Sequence, residues 1–159
     1  MKKILGLVVS LTVISGVCAG VLAYVDSITK EPIKATAERN REAAKKAVLC
    51  GEEGYTAEGT CKDGYGGDIT LMVGFKKDKK TVISYKVLAA AETPGLGMKL
   101  KTPEFADQFK GKDGTALKVV KSGAPKGNEI EAITSATITS RAVCKAIADA
   151  QKKLVAEAK

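Results

Sequence analysis

The stretch Ile69–Leu88, ITLMVGFKKDKKTVISYKVL, predicts two neighbouring β-strands joined by a charged turn. Between Ile69 and Phe75 large apolar residues stand at every second position, which is the period of a strand with one apolar face. Residues 76–80 are all charged and form the turn, and residues 82–88 predict the second strand. We therefore expect a β-hairpin.

Downstream of the hairpin, the sequence predicts elements that can cover or extend the sheet. A short helix is expected over residues 102–109, with Thr102 as its cap and Pro103 at its first position, and a third strand over residues 117–121. A last helix is expected from near Arg141, with an apolar face at helical spacing. The soluble part is therefore predicted as a compact α+β domain, with helices on one side of a small antiparallel sheet. The apolar face of the last helix comprises Val143, Ile147, Ala150 and Leu154.

The first quarter of the chain predicts a membrane anchor. Residues 4–25 form an uncharged apolar run of about 22 residues, long enough to cross the hydrocarbon core of a bilayer as a helix. A cleaved signal sequence and a lipid-modified Cys18 are the alternatives. Lys2 and Lys3 precede the run, whereas the charges after it nearly cancel, so we expect the N-terminus in the cytoplasm and the remainder outside.

An amphipathic stalk helix and a loop are expected between the anchor and the hairpin. Apolar residues recur at helical spacing over residues 33–49, with Pro32 near the first turn. Residues 50–67 are rich in glycine and acidic residues and predict a loop, which a disulfide between Cys50 and Cys61 could close. The expected divisions are residues 1–25, the cytoplasmic N-terminus and transmembrane helix, residues 26–50, the stalk, and residues 51–159, an extracytoplasmic domain.

The composition argues against several classes of function. The net charge is +8, but the lysines are dispersed, aromatic residues make up 4% and Trp is absent, so the stacking platforms of nucleic-acid binders are missing. A basic surface facing an anionic membrane is the better account. The chain has no His and no Cys-x-x-Cys motif, which argues against an iron–sulfur, haem or zinc site.

A hydroxyl-rich stretch at residues 129–140, EIEAITSATITS, is the first candidate for binding. Thr137 stands just before the expected last helix, where unpaired backbone N–H groups and the helix dipole favour an anion such as phosphate. The alternative is that Thr139 or Ser140 only caps the helix and the other hydroxyls satisfy the loop.

Two glycine-containing stretches are further candidates. Residues 92–97, Glu-Thr-Pro-Gly-Leu-Gly, predict a rigid turn whose backbone can approach a flat or anionic ligand closely, although a plain connecting loop fits the same residues. Residues 64–67, Gly-Tyr-Gly-Gly, place one aromatic residue among glycines, which is a weak signal alone.

Together, in this order and after an apolar N-terminal run, the three stretches resemble the FMN-binding domain. That domain is shared by the G-type subunits of the Rnf electron-transport complex and the C-type subunits of the sodium-pumping NADH:quinone reductase. Its motifs are Gly-Tyr-Gly-Gly-x-Ile, Glu-Thr-Pro-Gly-Leu-Gly and Asp-x-x-Ser/Thr-Gly-Ala-Thr, which correspond to residues 64–69, 92–97 and 131–137. The resemblance covers essentially the whole chain, with Glu131 in place of Asp, Ser135 in place of Gly, and Ala90 where a His often stands.

The resemblance implies how the cofactor is held. Thr137 would be esterified through its hydroxyl to the phosphate of FMN, and a separate flavin transferase would install the FMN from FAD. No catalytic acid or base and no metal ligand is expected, because the redox chemistry belongs to the cofactor. The other expected cofactor-binding residues are Glu131, Thr134, Ser135 and Ala136 beside it and Glu92, Thr93, Gly95, Leu96 and Gly97 on the opposite wall.

The function implied by the resemblance is electron relay within an Rnf-type complex that moves electrons between ferredoxin and NAD while Na⁺ or H⁺ crosses the membrane. The implied partners are the integral membrane subunits, one of them also flavin-bearing, and the iron–sulfur subunits. The alternatives are the C-type component of a sodium-pumping NADH:quinone reductase, a stand-alone membrane-tethered flavin module, and a pilin-like structural protein.

Overall fold

The computed structural model of the protein describes residues 2–121, 123 and 125–157. These residues divide into two compact units, with the boundary between residues 39 and 40. Short 3₁₀ segments at Gly97–Lys101 and Asp107–Phe109 flank the second α-helix. The α-helices are α1 (Lys2–Leu49), α2 (Pro103–Ala106) and α3 (Thr137–Ala156), and the strands are β1 (Gly54–Cys61), β2 (Ile69–Lys76), β3 (Val82–Ala90), β4 (Lys118–Val120) and β5 (Glu129–Glu131).

The first unit is the N-terminal part of α1, which is long and apolar enough to cross a membrane. Its most apolar window has a mean hydropathy of 2.3, and none of that window is buried inside the protein. The sequence predicts Pro32 near the first turn of a separate stalk helix. In the structure Pro32 lies in the interior of α1. A proline within a helix costs about 3 kcal/mol. The surrounding Ala, Glu, Lys and Arg residues are strong helix formers, and they carry α1 through Pro32.

The second unit is built on an antiparallel sheet with the order β1-β2-β3. The predicted hairpin is confirmed, because β2 pairs antiparallel with β3 from Ile69 opposite Ala90 to Phe75 opposite Val82. The prediction of a loop over residues 50–67 is wrong in its middle, since β1 pairs with the whole of β2 there.

The inward residues of β1 explain why that strand was missed. Ala57, Gly59 and Cys61 face the core with small side chains, so the sequence lacks large alternating apolar residues. A Cβ atom built on Gly59 would lie 1.9 Å from the carbonyl oxygen of Ala146 in α3. The helix therefore packs too closely on β1 for any larger side chain.

One apolar core lies between the sheet and α3. Its large side chains are almost wholly removed from water, and each such burial contributes about 1.5–3 kcal/mol. The face of α3 predicted to lie on the sheet is buried in this core. Its members include Val143, Ile147, Ala150 and Leu154 from α3 and Ile69, Leu71, Val73 and Phe75 from β2.

The opposite face of β2 is covered as well, which the one-sided prediction did not anticipate. Met72 is buried with Ala44 and Val48, two residues near the end of α1. The hydroxyl of Ser84 on β3 donates a hydrogen bond of 2.9 Å to the carbonyl oxygen of Val48. The end of α1 is therefore part of the second unit.

The suggested disulfide between Cys50 and Cys61 does not form. Both thiols are free, with Cys50 exposed and Cys61 buried. Cys50 precedes β1 and Cys61 is its last residue, so an extended strand of roughly 25 Å lies between them, whereas a disulfide needs Cα atoms about 5.5–6 Å apart.

The chain between β3 and α3 brings the hydroxyl-rich stretch to the sheet. The predicted third strand is present as β4, but it pairs in parallel with β5 in a separate small sheet. Thr102 stands at the cap position of α2 without capping it, because its hydroxyl donates to the carbonyl oxygen of Lys99 at 2.8 Å. Helix α3 begins at Thr137, four residues earlier than expected, so the last four residues of the hydroxyl-rich stretch form its first turn.

Candidate functional site

The main cleft of the second unit lies between the turn at residues 92–97 and the start of α3. Its volume is about 500 Å³, which is in the range of sites for small molecules and cofactors. All three sequence motifs contribute to it. The residues that line this main cleft are Tyr65, Glu92, Thr93, Leu96, Gly97, Ser135, Ala136, Thr137, Ile138 and Thr139.

The start of α3 presents unpaired donors to the main cleft. Ala136 stands at the cap position, and no side chain caps the helix there. Within the described part of the chain, the backbone N–H groups of Thr137, Ile138 and Thr139 have no hydrogen-bond acceptor. Such a helix start favours an anion because its N–H groups and the helix dipole both point at it.

A buried carboxylate connects two of the motifs with the start of α3. Glu92 is 7% exposed. Its Oε1 accepts a hydrogen bond of 3.3 Å from the N–H of Gly66, and its Oε2 accepts one of 2.9 Å from the hydroxyl of Thr139. Glu92 therefore ties the glycine-rich loop at residues 64–67 to the first turn of α3.

The two hydroxyls considered as caps have other partners. Thr139 is bonded to Glu92. The hydroxyl oxygen of Ser140 accepts from the N–H of Ile133 at 3.0 Å and donates to the carbonyl oxygen of Ala136 at 3.0 Å. Both side chains are buried, so they fix the loop before α3 and leave the first N–H groups of the helix open.

Two motif glycines lie so close to other atoms of the protein that a side chain would not fit there. A Cβ atom on Gly97 would lie 2.4 Å from Oε2 of Glu92, and one on Gly66 would lie 1.8 Å from the carbonyl oxygen of Ala91. The sequence prediction assigned the glycines of residues 92–97 to ligand approach. In the structure Gly97 leaves room for the side chain of Glu92, which reaches Gly66 and Thr139.

Ser135 adopts a conformation that favours glycine. Its φ angle is +64°, in the left-handed region, where a residue with a Cβ atom costs roughly 1–2 kcal/mol. This is the position at which the resembling motif carries Gly. The serine keeps the backbone of that turn and adds strain beside the main cleft.

The structure brings most of the predicted site residues together and separates three of them. Gly95 lies at the outer side of its turn with φ of +76° and does not line the main cleft. Glu131 and Thr134 line a separate small depression of about 200 Å³, together with Lys99 and Gln108. The predicted residues that line the main cleft are Glu92, Thr93, Leu96, Gly97, Ser135, Ala136 and Thr137.

Three residues of the main cleft were not predicted. Tyr65 stood in the glycine-rich motif and could have been found from its place among glycines. Ile138 and Thr139 follow Thr137 directly, but an expected helix start at Arg141 hid the fact that both belong to the first turn.

A charged pair stands beside the glycine-rich loop. Lys145 Nζ of α3 lies 2.5 Å from Oδ2 of Asp63. The hydrogen bond to this ammonium group lowers the pKa of Asp63, and the same bond raises the pKa of Lys145. Both side chains are well exposed, so the pair guides the loop towards α3 with little effect on stability.

The fold and the main cleft define a small α+β domain with a ligand-sized cleft and a helix start whose first N–H groups are open. The model of the family described as the FMN-binding domain matches residues 64–152, which contain the sheet hairpin, all three motifs and most of α3. The chain belongs to this FMN-binding domain family, and the family description assigns FMN as the ligand class.

Similar proteins are subunits of ion-translocating complexes. The chain is 31% identical to the G-type subunit of the ion-translocating oxidoreductase complex of Methanosarcina acetivorans, over 92% of each protein. It is 44% identical to the G-type subunit of the proton-translocating ferredoxin:NAD(+) oxidoreductase complex of Clostridium ljungdahlii, over 57% of this chain and 48% of that protein. The Na(+)-translocating counterpart from Acetobacterium woodii is 39% identical over 57% of this chain and 44% of its own length. The chain thus spans about half the length of these two bacterial relatives.

Solved structures share the fold. The crystal structure of NqrC from Shewanella oneidensis superposes with a TM-score of 0.52 at 26% identity, over 61% of this chain and 52% of that one. The C-type component of the Na(+)-translocating NADH-quinone reductase from Parabacteroides distasonis gives the same TM-score and identity, over 62% and 53%.

Proposed function

We propose that the protein carries FMN bound covalently to Thr137 and relays electrons as the G-type subunit of an Rnf-type, ion-translocating ferredoxin:NAD oxidoreductase. The observation that carries this proposal is the first turn of α3, where Thr137 lies in the main cleft beside three unpaired backbone N–H groups. Family membership supplies the ligand, and the helix start supplies a place for its phosphate.

The residues of the main cleft fit FMN. The N–H groups of Thr137, Ile138 and Thr139 would bind the phosphate oxygens, and Thr93 adds a hydroxyl on the opposite wall. Leu96 supplies apolar surface on the same wall, which suits a flat ring system. When bound, FMN supplies one- and two-electron redox chemistry, and the protein orients it and sets its environment.

Covalent attachment requires a second enzyme, the flavin transferase that the resemblance implies. The Thr137 oxygen would form a bond to the phosphorus of the FMN half of FAD, the phosphoanhydride bond would break, and AMP would leave. The hydroxyl proton of Thr137 would pass to solvent or to the transferase. The tether then prevents loss of the cofactor from an open cleft.

The role in the whole complex is inferred from the relatives. Relatives from a proton-translocating and from a sodium-translocating complex both match this chain, so the proposed coupling ion is H⁺ or Na⁺. The proposed partners are the integral membrane subunits, including a second flavin-bearing one, and the iron–sulfur subunits. We place α1 across the cell membrane once, with the N-terminus in the cytoplasm and the FMN-binding domain outside.

Membership of a sodium-pumping NADH:quinone reductase, as its C-type component, is the second candidate function. The superposition on two such proteins favours it, and one C-type relative is 39% identical over 45% of this chain. The G-type relatives share 31% to 44%, and we favour the G-type assignment because one of them aligns over 92% of both proteins. Neighbouring genes for iron–sulfur subunits would support the G-type assignment, and genes for a quinone reductase would support the alternative.

The site proposal is tested by producing the full chain together with a flavin transferase and examining it on a denaturing gel. We expect a fluorescent band for the wild type and for the control Thr134→Ala, and none for Thr137→Ala. Thr134 is the matched control because it is a threonine of the same motif that lies outside the main cleft. A Thr137→Ala band as bright as the wild type would refute the assignment.

A further inference from the structure

We propose that Tyr65 packs its ring on the flavin and shields it from solvent, acting as a positioning residue for the cofactor. This inference rests on the proposed covalent FMN at Thr137. The motif resemblance assigns no role to Tyr65, and its surroundings supply the grounds for one.

Most of the exposed large apolar side chains described in the second unit line the main cleft. Among the described residues 40–157, five large hydrophobic side chains are exposed, and Tyr65 is the most exposed at 71%. Leu96 and Ile138, at 43% and 51%, line the main cleft with it, whereas Tyr55 and Val155 do not. Apolar groups concentrated at one concave site mark a surface for an apolar ligand or partner.

The backbone that carries Tyr65 is held firmly on its C-terminal side. The N–H of Gly66 donates to the buried Glu92, and Gly66 packs so closely on Ala91 that a Cβ atom would lie 1.8 Å from its carbonyl oxygen. On the N-terminal side Asp63 is paired with Lys145 of α3. The ring of Tyr65 is therefore presented at the mouth of the cleft by a fixed loop.

The three exposed side chains of the main cleft form an apolar rim, and the attachment point at Thr137 indicates which ligand occupies it. Ile138 is the residue next to Thr137, so a group tethered to Thr137 lies at the edge formed by Tyr65, Leu96 and Ile138. The isoalloxazine ring is flat, aromatic and largely apolar, and aromatic side chains pack favourably on such rings. A polar ligand would not be matched by three uncharged, mostly apolar side chains.

Packing by Tyr65 has a consequence for the redox potential. Two-electron reduction of FMN near neutral pH yields an anionic ring, and an apolar contact that excludes water disfavours the charged form. Tyr65 should therefore lower the midpoint potential, and its removal should raise it.

The test uses the full chain in detergent, loaded with FMN by a flavin transferase and shown by intact mass to carry it. We compare the wild type with Tyr65→Phe, Tyr65→Leu and the control Tyr55→Leu, which removes an exposed tyrosine of β1 outside the main cleft. The readouts are fluorescence per bound flavin, quenching of that fluorescence by iodide, and midpoint potential.

We expect fluorescence to rise severalfold in both Tyr65 variants. A phenol in contact with an excited flavin quenches it by giving one electron that then returns, and neither Phe nor Leu does this. Iodide quenching should rise severalfold only in Tyr65→Leu, because Phe keeps the shielding ring, and the midpoint potential should rise in Tyr65→Leu. Tyr55→Leu should match the wild type in all three readouts.

The outcomes separate this inference from the proposed function. A flavin-loaded wild type whose fluorescence and iodide quenching are unchanged in both Tyr65 variants would overturn the role of Tyr65 and leave covalent FMN intact. A wild type that carries no flavin by mass would overturn both.

Discussion

The main cleft and the small depression are lined by consecutive parts of one segment, residues 131–139, and they differ in the backbone that this segment offers to a ligand. In the small depression the N–H of Glu131 donates to Oε1 of Gln108 at 2.8 Å, and the hydroxyl of Thr102 is bonded to Lys99. In the main cleft the first N–H groups of α3 have no acceptor within the described residues. A run of polar residues is therefore a better indication of anion binding where it forms the start of a helix, with several open N–H groups aligned with the helix dipole.

Among the substitutions that test this difference, removal of the Glu92 carboxylate should have the largest effect on the stability of the second unit. Glu92→Ala leaves the N–H of Gly66 and the hydroxyl of Thr139 without their acceptor in a buried place, which should destabilise the second unit by about 2–3 kcal/mol. Thermal unfolding of the full chain in detergent measures this. The control is Glu131→Ala at the small depression, where the exposed side chain should matter by less than about 0.5 kcal/mol. Equal losses for the two variants would contradict the distinction between the sites.

Gly97→Ala should have the next largest effect, because its Cβ atom would meet Oε2 of Glu92 at 2.4 Å. We expect a loss of about 2 kcal/mol from this overpacking. In a Glu92→Ala background the contact at 2.4 Å is absent and, of the contacts with residue 92, only the one with its Cβ atom, at 2.9 Å, remains, so the same substitution should cost less. Thermal unfolding of the two single variants and the double variant measures this coupling. If the stability losses of the single variants simply add, the cost of Gly97→Ala does not arise from contact with Glu92.

Ser135→Gly should stabilise the second unit by about 1 kcal/mol, because glycine adopts φ of +64° without strain. Ser135→Ala keeps the Cβ atom and should leave stability within about 0.5 kcal/mol of the wild type, which separates strain from the hydroxyl. Flavin loading should persist in both variants. A destabilised Ser135→Gly would mean that the serine hydroxyl makes a needed contact.

The smallest effect concerns the Asp63–Lys145 pair beside the main cleft. The folded pKa of Asp63 is lowered, so its contribution is present above the unfolded pKa and is lost as pH falls through the folded value. The raised pKa of Lys145 gives a contribution that is lost as pH rises through its folded value. Lys145→Met should return the Asp63 midpoint towards the ordinary value of 3.8 in an NMR titration. An unchanged midpoint would show that the pair does not form in solution.

Elements whose large side chains alternate or repeat were predictable from the sequence. The hairpin of β2 and β3 and the buried face of α3 follow directly from the spacing of their apolar residues. Strand β1 was not predictable, because Ala57 and Gly59 are small where α3 packs closely, and that constraint comes from a partner far along the chain. The local sequence of β1 contains no information about its packing against the distant helix α3.

The candidate site was predictable as a set of motifs but not as a network. The sequence indicated Glu92 and Thr137, yet the link from Glu92 through Thr139 exists only because the fold brings residues 66, 92 and 139 together. An expected helix start at Arg141 misplaced Thr139 and Ser140 as caps. The three unpaired N–H groups became visible only with α3 starting at Thr137.

Peptide mass mapping of the full chain, produced with a flavin transferase, tests the central claim most directly. The account predicts that the peptide containing residues 130–141 gains the mass of one FMN less one water, with the modification on Thr137 and not on Thr134, Ser135 or Thr139. An unmodified peptide, or FMN on one of the other hydroxyls, would contradict it.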